Sequence, residues 1–443
     1  MITVIKGMRD LLPPESGWFA QLEAAAREVF AQYGFAEIRT PILERTELFT
    51  RSVGEETDIV GKEMYTFADR DQTSLTLRPE ATAAVARAYV EHRLWEQPGL
   101  SRLFYMGPMF RRERPQKGRY RQFFQMGAEV LGGDAPQIDY ELLEMLALLL
   151  DRIGLAGWTL KLNSVGCAGD RERYQQALRA ALAPVKDRMC ADCQRRAETN
   201  PLRVLDCKHP EDQPIIATLP ALRDFLDEAC REHFEQLQKL LRAGGIEYQL
   251  EPRLVRGLDY YTRTAFEFQH GSLGAQNALL GGGRYDQLAE RLGAPRGAGA
   301  GIGFAIGLDR LVSVWRELTA PAPAPSDAAA PSSAAPSSAA PRSGIYLAPL
   351  EEPALIPALE LARQLRQAGA GKRQPEAAAA IVVGAAAMAA KKHLQLASRS
   401  HFRWVVLLGE REIASRELTI KDLASGDQIS RAWDPAALLR ELQ

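Results

Sequence analysis

The chain has 443 residues, too many for one ordinary hydrophobic core, so two or three domains are expected. With 46% hydrophobic and 25% charged residues it has a globular composition, and a net charge of −1 excludes a globally basic nucleic-acid binder, so contact with RNA has to come from local basic clusters. No apolar run reaches membrane-spanning length, the start MITVIKGMRDLLPPE lacks the layout of a signal peptide, and five cysteines suit a reducing compartment; a cytoplasmic protein with no membrane partner is expected.

Residues 16–35 carry helical apolar spacing from Trp18 to a stop at Gly34, with Ser16 as the expected N-cap. A strand, AEIRTPIL, should follow, and Pro41 within it favours a sheet edge or an interface because proline cannot donate to a central ladder. Further strands are expected at 64–69, 74–79, 103–110 and 123–132, with helices at 81–92 and 138–154. Short strands with isolated helices predict an α+β domain, its mainly antiparallel sheet flanked by helices. Residues 159–250 are helical, charged and cysteine-bearing, and read as a helical insertion, because strand-rich sequence resumes at 253–283. Residues 319–343, rich in Ala, Pro and Ser, are a linker with nothing to bury. Beyond it, strands at 345–350, 379–384 and 404–409 alternate with helices, as in a small α/β domain. The expected division is therefore 1–158 with 251–318, the insertion 159–250, the linker 319–343 and a terminal domain 344–443.

Several constellations could carry chemistry. In RLVRGLDYYTRTAFEF (253–268), Arg256 offers a permanent cation with a planar fork of donors, while Tyr260 and Tyr261 offer flat walls tipped with hydroxyls. That combination suits a phosphate or carboxylate beside a small aromatic ring; an edge strand with an exposed ion pair is the plainer alternative. Between two expected strands, Arg111, Arg112, Arg114, Lys117, Arg119 and Arg121 surround the turn former Gly118, with Tyr120, Phe123 and Phe124 close by. Such a hairpin points to phosphate recognition, against the alternative of a solvated basic turn. Glu80 and Glu129, expected at strand ends, have Thr82 and Gln125 near them in sequence, a polar set able to hold an ammonium and an imidazole N–H if the four converge.

The glycine runs GGGRYD (281–286) and GAGAG (297–301) lack the strand–GxGxxG–helix context of a dinucleotide fold and the GK[ST] ending of a P-loop; Arg284 and Arg310 are the better candidates for ligand contact. Cys190, Cys193, Cys207 and His209 form an admissible but irregular zinc set, with reduced cysteines packing a helical insertion as the alternative. The other histidines show no triad-like or metal-like grouping, so no metal is assigned to the catalytic residues.

Over almost its whole length the chain resembles the histidyl-tRNA synthetase family of class II aminoacyl-tRNA synthetases. RGLDYYT (256–262) and GGGRYDQL (281–288) resemble the two signatures peculiar to the histidine enzymes, and YGFAEIRTPIL, GPMFRRERPQKGRYRQF and GIGFAIGLDRL resemble the three general class II motifs. The resemblance implies a catalytic domain with a C-terminal anticodon-binding domain, and a ligase that activates L-histidine with ATP and Mg2+, then transfers it to tRNA(His), releasing pyrophosphate and AMP. It implies Arg111 on the ATP α-phosphate, Glu113 at the adenine edge, the purine between Phe123 and Arg310, and Arg119 on the distal phosphates. Glu80, Ala81, Thr82 and Gln125 would surround the histidine ammonium group, Glu129 and Tyr261 would read the imidazole nitrogens, and Tyr260 would line the pocket. Arg256 would bridge the histidine carboxylate and the α-phosphate, Gln116 and Arg121 would meet the tRNA acceptor end, and two copies would pair through the segment containing Pro41. One departure is the alanine-rich stretch at 371–390, where anticodon contacts carry over least. A regulatory paralogue that senses histidine without catalysis is the rival reading, as is a nucleic-acid-binding module.

Overall fold

The computed structural model describes residues 2–54, 57, 59–113, 119–205, 207, 209–255, 258, 260–273, 278–319, 344–369, 380–384 and 387–442. Arg256, the hairpin tip with Arg114, Gln116, Lys117 and Gly118, linker residues 320–343 and the alanine-rich residues 371–379 lie outside the described residues. The chain divides into two compact units, Met1–Pro323 and Ala324–Gln443.

The first unit begins with α1 (Glu15–Gln32), which buries Phe19, Leu22, Ala26, Val29 and Phe30 at helical spacing and stops where Gly34 takes a positive φ. Pro14 holds the N-cap position and Ser16, the expected cap, lies inside the first turn. The strand expected over 36–43 is broken into β1 (Ala36–Glu37) and β2 (Leu43–Arg45), which join different sheets. Pro41 lies in the break, where no ladder donor is required.

There follow α2 (Thr46–Val53), β3 (Tyr65–Ala68), β4 (Ser74–Leu77), α3 (Thr82–Glu91), β5 (Ser101–Phe110), β6 (Gln122–Leu131) and α4 (Pro136–Arg152). Next come β7 (Trp158–Ser164), α5 (Ala168–Leu182), α6 (Ala191–Thr199), α7 (Gln213–Ala217), α8 (Glu228–Ala243) and β8 (Tyr248–Leu250). The unit closes with β9 (Thr262–His270), β10 (Ala278–Arg284), α9 (Leu288–Arg291), β11 (Gly301–Gly307) and α10 (Leu308–Thr319).

An eight-stranded sheet in the order β1-β5-β6-β11-β10-β9-β7-β8 forms the centre. Its two outermost pairs are parallel and the inner ones antiparallel. The segment 159–250 is helical between its ends, while the ends themselves, β7 and β8, are strands of this sheet. Phe234, Leu237 and Leu241 of α8 share a core with α1, α4 and the sheet. Phe30 sits in that core with ring centroids 5.3 Å from Phe104 and 5.9 Å from Phe304, so Phe30→Ala should cost about 3–5 kcal/mol.

The stretch 253–268 becomes a strand only at Thr262, and its register against β10 slips between Gly283 and Arg284, where Arg263 adopts φ 48°. The two tyrosines are thereby left ahead of the ladder rather than in it.

The second unit contains β12 (Ile345–Pro349), α11 (Leu355–Gly369), β13 (Ile381–Val383), α12 (Ala390–Arg399), β14 (Trp404–Leu408), α13 (Glu410–Ser415), β15 (Glu417–Asp422), β16 (Gln428–Ala432) and α14 (Pro435–Leu442). Its sheet order is β13-β12-β14-β15-β16, with β12 parallel to both neighbours and β15 and β16 antiparallel. His393 is wholly buried there and fully engaged, 3.1 Å from the Tyr346 hydroxyl and 2.8 Å from the Pro349 carbonyl.

Candidate active site

A cavity of about 490 Å³ is walled by β5, β6, β9, β10 and β11 and by the first residues of α3 and α10. Ten of the expected site residues line it: Glu80, Thr82, Arg111, Glu113, Arg119, Phe123, Gln125, Tyr260, Tyr261 and Arg310. Positions far apart in sequence meet because β6, β11, β10 and β9 are consecutive in the sheet, with helices launched from neighbouring strand ends.

One part of the cavity is backed by a buried polar network. The Glu80 carboxylate accepts the backbone N–H groups of Thr82 at 2.7 Å and Ala83 at 3.0 Å, and so caps the start of α3. The Thr82 hydroxyl donates to Glu129 Oε1 at 2.7 Å, and the Tyr285 hydroxyl donates to Glu129 Oε2 at 2.5 Å. Glu129 has no solvent exposure, and burial pushes its carboxyl up to about 8 against the opposing pull of the two hydroxyls. Burial likewise raises Glu80 above the usual carboxylate range and Tyr105, Tyr260 and Tyr285 well above the usual phenol range. Gln125 Oε1 and the Tyr105 hydroxyl are buried without a protein hydrogen-bond partner among the described residues, and both residues line the cavity. The aromatic wall is continuous: the ring centroid of Tyr260 lies 4.7 Å from that of Tyr261 and 5.7 Å from that of Tyr285.

A second part of the lining is cationic and more open. Arg111 is anchored by its Nε, which donates to the Pro79 carbonyl at 2.9 Å, and its guanidinium lies 5.3 Å from the Phe123 ring centroid. Glu113 pairs with Arg119 at 2.6 Å and stands 4.0 Å from Arg111. Arg310 Nη1 donates to the Ala278 carbonyl at 3.3 Å, and burial first, then the fields of Arg119 and Arg111, lower its pKa. Three cations lining one cavity make a strong attractor for phosphate.

Asp309 fixes this end. It accepts the Phe124 N–H at 2.9 Å and pairs with Arg9 at 2.8 Å, while Arg9 also binds Glu15 at 2.7 Å and stacks 4.2 Å from the Tyr120 centroid. The N-terminal segment, β6 and the start of α10 are thus tied at one carboxylate beside Arg310.

Several expectations are corrected. Glu129 is in mid-strand, paired with Gly303 and Leu103, rather than at a strand end, and lies outside the cavity lining. Ala81 is wholly buried and does not line the cavity. Arg121 lies outside the cavity lining, and its contacts are compatible with the role expected of it at the tRNA acceptor end: it donates to the Lys6 carbonyl at 3.2 Å while its N–H meets the Gly7 carbonyl at 2.7 Å. Arg284 is structural: wholly buried, it pairs with Asp139 at 2.6 Å and Asp286 at 3.2 Å and donates to the carbonyls of Gly133 and Ala135. In GGGRYD the residue that reaches the site network is its neighbour Tyr285.

The glycines of that run serve strand approach. A Cβ at Gly282 would strike the Gly303 carbonyl, one at Gly283 the Thr264 carbonyl, and one at Gly303 the Glu129 carboxylate itself. The residues that sequence reading passes over, Arg9, Tyr105, Tyr285 and Asp309, act through contacts across the sheet that no local pattern marks, although Tyr285 and Asp309 each adjoin an arginine singled out from sequence.

A sequence profile described as histidyl-tRNA synthetase matches residues 7–311. The chain is 51% identical to the histidine–tRNA ligase of Koribacter versatilis, over 98% of this chain and 94% of that protein. It is 49% identical to that of Solibacter usitatus, over 99% of this chain and 98% of that protein. Among solved structures, the apo histidyl-tRNA synthetase of S. aureus superposes with a TM-score of 0.77 at 33% identity, covering the whole of both chains. With the profile spanning most of its length and relatives near half identical across almost all of theirs, the chain belongs to the histidyl-tRNA synthetase family.

Proposed function

We propose that the chain is a histidine–tRNA ligase, which activates L-histidine with ATP to histidyl-adenylate and transfers it to the 3′ end of tRNA(His). The reading is carried by one observation: a single cavity joins a buried carboxyl, hydroxyl and tyrosine network to three arginines. A substrate that is an ammonium and imidazole at one end and a carboxylate meeting a triphosphate at the other uses every part of it.

In the first step a histidine carboxylate oxygen attacks the α-phosphorus of ATP and pyrophosphate leaves. The nucleophile is already an anion, so the protein's task is alignment and charge neutralisation rather than proton abstraction. Arg111, held by Pro79, is assigned to the α-phosphate, together with Arg256, whose bridging role follows from the family resemblance. Arg119 is assigned to the distal phosphates once released from Glu113, with Phe123 and Arg310 against the purine. Glu113 is assigned to the adenine edge, and Glu267, which lines the same cavity, is an oxygen donor suited to Mg2+, which when bound would neutralise phosphate charge. In the second step the terminal ribose hydroxyl of the tRNA attacks the adenylate carbonyl, and AMP leaves.

Recognition of histidine is assigned to Glu80, Thr82 and Gln125 at the ammonium group and to Glu129 and Tyr261 at the ring, with Tyr260 as a wall. Each Glu129 oxygen accepts one hydroxyl, and in the ionised form of the carboxyl each keeps a further acceptor site, since a carboxylate oxygen has two lone pairs. Apolar analogues would leave these groups unpaired and be rejected. The exposed Ile42, Leu43 and Phe67 support a homodimer formed through the Pro41 region, and the second unit is assigned to the anticodon, with 319–343 as tether. Five free cysteines support a cytoplasmic setting, and no helix among the described residues is long and apolar enough to cross a membrane.

The test is histidine-dependent exchange of pyrophosphate into ATP, followed by charging of tRNA(His). Folded protein that shows no exchange with histidine and magnesium overturns the reading, and exchange without charging restricts it to the first step.

A further inference from the structure

The insertion carries four ligand groups that the cavity does not use. The Cys-x-x-Cys at 190–193 straddles the start of α6, placing Cys190 at the N-cap and Cys193 in the first turn. Cys207 comes from the following loop and Asp212 from the turn before α7, and the ligand atoms of all four lie within 4.8 Å of one another. Cys193, Cys207 and Asp212 are buried and Cys190 is partly so. The Cys190 and Cys207 sulfurs are 3.9 Å apart, and Cys207 Sγ is 3.2 Å from Asp212 Oδ2.

The two closest separations match those of ligands sharing one tetrahedral ion. With zinc–sulfur bonds of about 2.3 Å, two thiolates on one ion stand about 3.8 Å apart, and a thiolate and a carboxylate oxygen somewhat closer. We infer that Cys190, Cys193, Cys207 and Asp212 form a structural zinc site, which staples the start of α6 to the loop leading into α7.

Asp212 takes the fourth place that sequence spacing offers to His209, which is absent from the cluster; its backbone N–H instead approaches Cys207 Sγ at 3.4 Å. Charge supports the assignment. Apart from the thiols, Asp212 accepts one backbone N–H, that of Cys190 at 3.0 Å, and no basic side chain pairs with it among the described residues. A carboxylate with three close thiols is a donor set for a divalent ion, which binds as the thiols give up their protons.

A neighbouring group, Cys167, Asp170, Asp227 and Cys230, is equally close-set but differently employed. There Asp227 caps α8 through the Cys230 N–H at 2.8 Å, while Asp170 accepts the N–H groups of Cys167 and Asp227 and pairs with Arg173 at 2.5 Å. Its carboxylates are committed to helix starts and a cation, so it serves as the internal control.

The experiment uses full-length protein purified under reducing conditions, with zinc measured by elemental analysis and cobalt(II) added after chelator treatment. One zinc per chain is expected, along with a cobalt spectrum of tetrahedral intensity with thiolate charge-transfer bands. Cys207→Ser and Asp212→Ala should each weaken metal affinity by at least the roughly 10–100-fold seen on losing an outer-shell partner. His209→Ala and Cys230→Ser should retain the full zinc content. The inference is overturned if folded wild-type protein gives no tetrahedral cobalt spectrum, if the spectrum survives Cys207→Ser, or if Cys190 and Cys207 are found joined as a disulfide. The cobalt titration of the wild type decides the matter even where a variant fails to fold.

Discussion

The two parts of the cavity are built on opposite principles. Around Glu129 the polar groups are buried and interlocked at 2.5–2.7 Å, with Glu129 in mid-strand and shifted in pKa and its hydroxyl partners at the start of α3 and just past β10. Around Arg111 the charged side chains keep 16–33% of their surface exposed and hold one another in ion pairs that a phosphate can replace. On the proposed assignment the difference follows the chemistry: an imidazole ring must be distinguished from every other side chain, which needs fixed groups in a dry place, whereas ATP is recognised by charge and must release pyrophosphate.

That contrast can be broken by substitution. Glu129→Ala should have the largest effect, lowering kcat/KM for histidine by about 10⁴-fold with the ATP KM little changed, because a hydrogen-bonding site that loses its acceptor discriminates on that scale. Pyrophosphate exchange with each substrate varied in turn separates the two parameters. Arg111→Ala should act on the other side, lowering kcat by roughly 10²–10³-fold while histidine binding, read by calorimetry, is largely kept.

Protonation offers a finer probe. The Glu129 carboxyl titrates near 8 when folded and in the usual carboxylate range when unfolded, so the folded chain holds the extra proton in between. The stability this group contributes is complete below that usual range and is lost as pH rises toward 8. Melting temperatures followed from about pH 5 to about pH 8 should therefore fall in the wild type relative to Glu129→Gln, and parallel curves would mean that Glu129 is charged throughout. Tyr285→Phe should destabilise the fold by about 1–3 kcal/mol, since it leaves a buried carboxyl short of a donor. The smallest effect is expected for Glu113→Gln on stability, below about 1 kcal/mol, as its pair with Arg119 is partly exposed.

Legibility from sequence divides along the same line. The basic hairpin, the tyrosine pair and the amphipathic α1 are local patterns, and charge runs and apolar spacing mark them directly. Glu129 was visible as a residue but not as a buried one, because its depth depends on β11 lying beside β6, a pairing across more than a hundred residues, and on Tyr285 just past β10. Arg284 was misread for the same reason: an arginine after three glycines looks available, and only Asp139, delivered by α4, shows where its charge is spent. Asp309 illustrates the converse, since it joins three segments through contacts without periodicity. In the insertion, spacing suggested His209 as a ligand, whereas the turn before α7 presents Asp212.

The contact of Gly303 with Glu129 sets a limit on redesign. Behind that carboxylate stands bare main chain, with no side chain left to trim. The pocket cannot be deepened there by truncation to admit a bulkier amino acid, and any enlargement has to come from the tyrosine wall on β9's approach. A replacement at Gly303, even by alanine, would displace the Glu129 carboxylate instead of reshaping the space around it, so on the proposed assignment this backbone position would guard substrate identity without touching the substrate.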